Sequence, residues 1–458
     1  MTNINFGDVQ GLVFSGYNKI MKYSSYYLLK IDDPVKVRSW LKTLADEHRI
    51  THGNHRGTQW CLNLAFSHSG FEKLGLDNNT FEQAFQEGMN SERRSTVLGD
   101  QGGNHPNHWQ WGHADKSVDL LLMLFSKDEA NHEERKRIEE LAFMTGGISL
   151  IDRLDTGNPI KEGTGDFVKE HFGFADGVSD PVVENFPKVL KKSAAANSQT
   201  PKIIPTGEFL LGYPNGYDGK ITAIPSTGSL KDKFGINGTY LVFRQLKQDV
   251  KGFWSFINNE SAAQGIDPEY LAAKFVGRWK SGAVVLPGET QDTGQVSNEF
   301  DFRDDPNGTG CPFGSHIRRS NPRGTGLGET IDDSLIVANR HRLLRRGRSY
   351  GNFLENPLDD GGNQNRGLFF ICLNANIERQ FEFVQHSWIN NIKFNSLYDE
   401  DDPLIGSYGS GKLGFSRSFT IQDEPLRRRI YNFQQYVALL GGGYFFLPGI
   451  NALRMLGE

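Results

Sequence analysis

Three short loops carry the side chains that could do chemistry in this chain. Asp176 lies in Gly173-Phe174-Ala175-Asp176-Gly177, between glycines and aromatics, and Asp180-Pro181 follows at once. Glycine on both sides lets the backbone take left-handed or close-approach conformations, so the carboxylate can be held against a flat apolar ligand. Taken alone, the stretch reads equally as a tight turn whose Asp caps its own backbone. His316 lies in Gly310-Cys311-Pro312-Phe313-Gly314-Ser315-His316-Ile317-Arg318, which runs on to Asn321-Pro322-Arg323. Arg345 opens Arg345-Arg346-Gly347-Arg348-Ser349-Tyr350-Gly351. A carboxylate can move a proton, an imidazole can bind a metal, and a guanidinium can hold a developing negative charge.

Loops of this kind need elements to position them, and the hydrophobic pattern supplies these. Tyr26–Ile31, Cys61–Phe66, Val118–Phe125 and Ile148–Leu154 have strand character in the first half. Asp32-Asp33-Pro34 caps a helix that carries Val37, Trp40, Leu41 and Leu44 on one face. A charged helix is expected from about Glu133, with Ile138, Leu141 and Ala142 facing inward and Gly146-Gly147 stopping it. The second half repeats the plan. Thr239–Phe243 and Leu368–Leu373 read as strands, each followed by a helix, one bearing Phe253, Trp254 and Ile257 and the other Ile377, Phe381, Val384 and Trp388. Gly441–Pro448 reads as a glycine-led aromatic strand of the second core. The class is α+β, with helices covering an antiparallel sheet in each of two related halves.

Length and composition agree. At 458 residues the chain exceeds one ordinary hydrophobic core, so two domains are expected: residues 1–190 with the acid loop, a polar linker at 191–202, and residues 203–458. The linker is Lys191-Lys-Ser-Ala-Ala-Ala-Asn-Ser-Gln-Thr-Pro-Lys202, which is polar, small and without periodicity. An apolar share of 37% and an aromatic share of 12% suffice for packed cores. A net charge of −5 argues against a general nucleic-acid binder. Three cysteines at wide spacing give neither a disulfide framework nor a thiolate metal site, which fits a reducing compartment. No charged start precedes an apolar core at the N-terminus and no run reaches membrane-spanning length, so a soluble cytoplasmic protein is expected.

Among twelve histidines, His316 is the best metal-ligand candidate. Neutral imidazole is a standard axial ligand to haem iron, and Arg318, Arg319 and Arg323 lie close enough in sequence to suit propionates. His105, His108 and His113 surround Trp109 and Trp111 at spacings that match no metal motif. Arg340, Arg342, Arg345, Arg346 and Arg348 form a dense cationic run. The interleaved Leu343-Leu344 implies burial, and a buried arginine needs an anion, which a propionate or a bound peroxide would supply.

With acid, histidine and arginine loops in this order, the chain resembles the dye-decolorizing peroxidases over nearly its whole length. Asp8-Val-Gln-Gly11, Gly207–Tyr213, Tyr240–Gln245 and Val276-Gly-Arg-Trp279 carry the likeness, together with the G-x-x-D-G signature. Arg366–Ile371 and Ile377–Phe383 look most like the larger bacterial branch. The resemblance implies two ferredoxin-like domains, with haem b held mainly by the second. It implies His316 as proximal iron ligand and Asp176 and Arg345 on the distal face. Phe174 and Gly177 would lie against the cofactor, Leu368 and Phe370 would wall the peroxide channel, and Arg323 would hold a propionate. Arg346 is a rival to Arg345, and Glu382 and Asp402 compete to back the histidine. The expected partners are hydrogen peroxide and dye, phenolic or other aromatic reductants, with surface Tyr or Trp residues as candidate electron relays. No nucleic acid or membrane is expected, and the oligomeric state, a homo-oligomer included, is left open by the sequence. Because the acid works ionised, activity should persist at acidic pH. The alternative is a haem-handling protein that binds haem or releases iron with little peroxide turnover.

Overall fold

The computed structural model describes residues 3–55, 57–76, 80–157, 167–187, 203–226, 233–359, 365–407 and 417–458. The first half runs β1 (Tyr23–Ile31), a helix (Pro34–Asp46), β2 (Trp60–Phe66), β3 (Leu120–Ser126), a helix (Glu129–Thr145) and β4 (Ile148–Asp155). The second half repeats this order. It runs β5 (Thr239–Gln248), a helix (Val250–Gln264), the short β6 (Leu344–Arg345) and β7 (Arg348–Tyr350), then β8 (Gly367–Asn374). A helical segment (Glu378–Ile389), a hairpin of β9 (Ser418–Ile421) and β10 (Arg428–Tyr431), and β11 (Val437–Leu447) complete it. Each long helix follows an aspartate, Asp33, Asp128 or Asp249, whose carboxylate accepts from a backbone N–H of the first turn.

Strand order is β4-β1-β3-β2 in one half and β11-β5-β8 in the other, with β6 and β7 on the free edge of β8. Every pairing in this sheet is antiparallel. Each half is thus the split β-α-β of a ferredoxin-like unit. The halves are not separate sheets: β2 meets β11 where Phe66 opposes Phe446, which joins nine strands into one. The glycine-led C-terminal strand therefore serves both halves, where the sequence pointed to the second core alone. Phe446 packs with Phe66, Phe71 and Phe81 of the first half as well as Tyr240 of the second.

Alternation along the strands feeds two cores, one on each face. Leu120, Leu122 and Leu124 of β3 enter one and Leu121, Met123 and Phe125 the other, so this strand is buried on both sides. The helix after β3 begins four residues before the expected start and turns a different face inward. Ile138 and Leu141 are 40% and 67% exposed, while His132, Lys136, Glu139 and Phe143 are buried. Polar partners make that face tolerable: Glu139 accepts from Arg49 and Arg135, and His132 bridges Ser25 and Ser126. The linker expected at 191–202 lies outside the described residues.

Candidate active site

On the second half, one face of the sheet stops being core and becomes the wall of a cavity. Tyr240 and Val242 of β5 are packed, and the next residues of the same face, Arg244, Leu246 and Gln248, line the cavity. On β8, Cys372 is packed while Leu368 and Phe370 line it. Arg345 joins from β6, held in place by pairing opposite Cys372. The segment Glu378–Ile389 is wound with wide π-type turns and contributes Phe381, Val384 and Gln385. Such turns are rare and concentrate at functional sites. The enclosed volume is about 290 Å³.

The three loops converge on this cavity. Asp176 and Arg345 meet across 169 residues, with Arg345 donating through Nη1 to Asp176 Oδ1 at 2.9 Å. Both side chains are about one-third exposed to the cavity. Asp176 holds the Arg345 guanidinium above its ordinary range, against the opposing effect of burial. Gly177 has φ +81° with open space where a Cβ would stand, so conformation, not room, requires glycine there. Its N–H donates to Asp176 Oδ1 at 2.7 Å. The loop is clamped from behind by Glu170, which accepts from the N–H groups of Phe172 and Phe174, both at 2.9 Å, and from Gln248 Nε2 at 2.6 Å. Burial pushes the Glu170 carboxyl up to about 7, and the charge of Asp176 adds to this against those hydrogen bonds.

His316 starts the short helix His316–Ser320 after a Ser315 whose hydroxyl is tied to Pro312 O at 2.8 Å. Its Nδ1 lies 2.9 Å from Oδ2 of Asp402, which is fully buried. Oδ1 of Asp402 accepts from the N–H groups of Leu404 and Ile405 at 3.0 and 2.9 Å. Burial raises the Asp402 carboxyl, but His316, Arg319 and the Ile405 N–H outweigh it and hold the group below its ordinary value. A charged acceptor on Nδ1 places the proton there and leaves Nε2 as a lone-pair donor for the cavity. Asp402, not Glu382, thus backs the histidine. Glu382 is engaged elsewhere, by Arg94 and Tyr444 Oη, each at 2.8 Å.

Other expectations shift. Arg346 faces away from the cavity and donates to Leu12 O and Val13 O, both at 2.8 Å, so it does not rival Arg345. Arg318 and Arg319 do not face an anion in the cavity. Arg318 pairs with Asp305, and Arg319 donates to five backbone carbonyls, including Gly314 O and Glu400 O. Arg323 stands behind the wall, bonded to the carbonyls of Asn298 and Phe300 at 2.9 and 3.0 Å, with an edge 3.5 Å from Ser179 Oγ. Beside it, Arg278 and Arg342 line the cavity and also bond to Ser179. Burial lowers all three guanidinium groups, Arg278 and Arg342 to about 10, and none has a carboxylate partner among the described residues. Phe174, Gly177, Leu368 and Phe370 line the cavity.

Residues 8–156 match the family described as the DyP dimeric alpha+beta barrel domain. A dye-decolorizing peroxidase of Mycena epipterygia is 31% identical over 86% of this chain and 76% of its own length. This chain belongs to the dye-decolorizing peroxidase family. It is a peroxidase by that membership. A second relative, dye-decolorizing peroxidase msp1 of Mycetinis scorodonius, is 29% identical over 98% of the chain and 87% of its own length. A weaker match, 27% identical over 53% of the chain and 42% of the relative, is to a deferrochelatase of Yersinia pestis. Among solved structures, a DyP-type peroxidase of Anabaena superposes with a TM-score of 0.80 at 26% identity, covering 98% of this chain and 94% of its own.

The family implies a haem cofactor, and the cavity's own chemistry fits one. It offers a single imidazole donor backed by a carboxylate, flat apolar walls from Phe174, Leu246 and Phe370, and buried guanidinium groups lacking anions. The sequence did not single out Glu170, Gln248 or Arg278. Glu170 is three residues before Gly173, and Arg278 lies in the quoted Val276-Gly-Arg-Trp279, so signals existed, but no pattern told a wall residue from a packed one.

Proposed function

We propose that this cavity would hold haem b, with His316 Nε2 as the group that would bind its iron and with Asp176 and Arg345 as the groups that would meet the peroxide. Bound there, haem would supply the redox chemistry, reduction of hydrogen peroxide coupled to one-electron oxidation of the reductant. The chain's own residues do the rest. Asp176, as carboxylate, takes the proton of the incoming peroxide and delivers it to the departing oxygen. Arg345 faces the same space with a guanidinium that stays charged, and it stabilises the negative charge that develops as the O–O bond breaks. Asp402 fixes the tautomer and the orientation of the His316 ring. Arg278 and Arg342, with Arg323 behind them, receive the propionates and so gain the anions they lack. Leu368 and Phe370 narrow the approach enough to admit peroxide and exclude bulk. Dyes, in keeping with the names of the dye-decolorizing relatives, and phenolic or other aromatic donors are the reductants.

Residues 203–458 would form the haem-binding domain and residues 1–190 the one lending the acid loop. The observation that carries the reading is the Asp176–Arg345 pair at 2.9 Å in the same cavity as His316. It favours peroxide turnover over haem handling, because holding haem requires no acid–base pair in the same cavity. Replacing Asp176 by Asn should leave haem bound while kcat/KM for hydrogen peroxide falls by about 10²- to 10⁴-fold. Unchanged turnover with full haem content would take the acid–base role from Asp176, leaving an arginine-only mechanism if wild-type turnover is high and haem handling if it is low.

A further inference from the structure

A second cavity, of about 340 Å³, abuts the first and shares Gln248 and Gln435 with it. Arg366 lines it and is only 4% exposed. Its Nε is shut off from solvent and has no hydrogen-bond partner, and among the described residues no carboxylate pairs with the guanidinium. Burial lowers the group with no acid to offset it. The same uncompensated charge acts on neighbouring His171, which burial first and Arg366 in addition hold down to about 4. A buried cation without a counter-charge is costly, and the economical resolution is an anion that enters with its ligand.

The rest of the lining fits an anion of one kind. Lys247 and Lys251 add positive charge. The two lining carboxylates are spent locally: Asp249 caps its helix through Gly252 N–H at 2.9 Å, and Asp359 accepts from Asn356 Nδ2 at 3.0 Å. Val250, Leu354 and Tyr436 supply an apolar wall. The volume is that of a small-molecule site. We infer that this cavity binds a small aromatic carboxylate, with its charged end on Arg366 and its ring against Val250, Leu354 and Tyr436. An occupant would touch Gln248, whose amide holds Glu170 and through it the acid loop. The site shares only Gln248 and Gln435 with the first cavity and does not depend on the reading of Asp176.

The test is calorimetric titration of the haem-loaded full chain with benzoate, and with benzamide as the uncharged match in shape. Benzoate should bind once per chain without moving the haem absorption band, and benzamide should not bind. Arg366→Met should weaken benzoate by about tenfold or more. Lys251→Gln, on the exposed rim, should weaken it about two- to threefold with the fold untouched. If Arg366→Met fails to fold, the benzamide comparison and Lys251→Gln decide. Absence of benzoate binding, equal binding of benzamide, or a haem band that shifts in step with saturation would each overturn the proposal.

Discussion

At the scale of single residues, function rests on how two carboxylates are treated differently. Asp402 is buried, ringed by two backbone N–H groups and an imidazole, and is held ionised. Glu170 is also enclosed, but it sits near Asp176 and burial dominates, so its carboxyl rises from the ordinary 4.5 to about 7. The sign of the consequence follows. A carboxyl raised in the folded state binds more protons folded than unfolded between pH 4.5 and about 7, so its contribution to stability falls as pH rises through that window. Glu170→Gln removes this slope. Melting temperatures of the haem-free protein across pH 4 to 8 should show wild type losing stability relative to Glu170→Gln as pH rises, with the gap levelling above about 7. A constant gap would mean that Glu170 does not titrate there.

At the scale of elements, a glycine run and a widened helix set the site. Trp111, fully buried, lies on β11 where Gly441 leaves room, and it donates through Nε1 to Gln245 Oε1 at 2.7 Å. A Cβ at Gly441 would stand 2.6 Å from Trp111 Nε1 and 2.7 Å from its ring carbons. Gly441→Ala should therefore cost about 1–3 kcal/mol by overpacking and lower the melting temperature, read by circular dichroism. An unchanged melting temperature would show that the strand yields freely. Much of this scale was legible in the sequence, because strands with strict alternation and Asp-capped helices announce themselves. The helix after β3 was misread for a physical reason. Its inward face is polar and satisfied by Arg49, Arg135, Ser25 and Ser126, partners that hydrophobic periodicity cannot reveal. Likewise, the motifs located His316, Asp176 and Arg345, but only packing decides that Asp402 rather than Glu382 reaches the imidazole. The role of the arginines around Ser179 was equally closed to the sequence, since Arg318, Arg319 and Arg323 look alike there and differ only in what they touch.

At the scale of the molecule, the two ferredoxin-like halves share a sheet and both cores. Phe446 from the last strand sits among first-half phenylalanines, and Leu241, Phe243 and Phe369 pack with Tyr26 and Leu28. Interfaces so apolar and continuous leave little freedom for either half to unfold alone. Urea unfolding of the haem-free protein should accordingly give one transition, coincident by tryptophan fluorescence and far-ultraviolet circular dichroism. Two separated transitions would mean that the sheet joint through Phe66 and Phe446 does not couple the halves. This coupling matters for the site, because the acid loop follows the last strand of the first half, whereas the imidazole and guanidinium lie among the elements of the second.

The most direct test of the whole account is the position of the iron. Diffraction from crystals of the haem-loaded protein, recorded at the iron absorption edge, locates it without reference to any activity. One iron peak is expected at bonding distance from His316 Nε2, with Asp176 and Arg345 across the porphyrin plane. A peak remote from His316, or one with Asp176 and Arg345 on the same side as the imidazole, would contradict it.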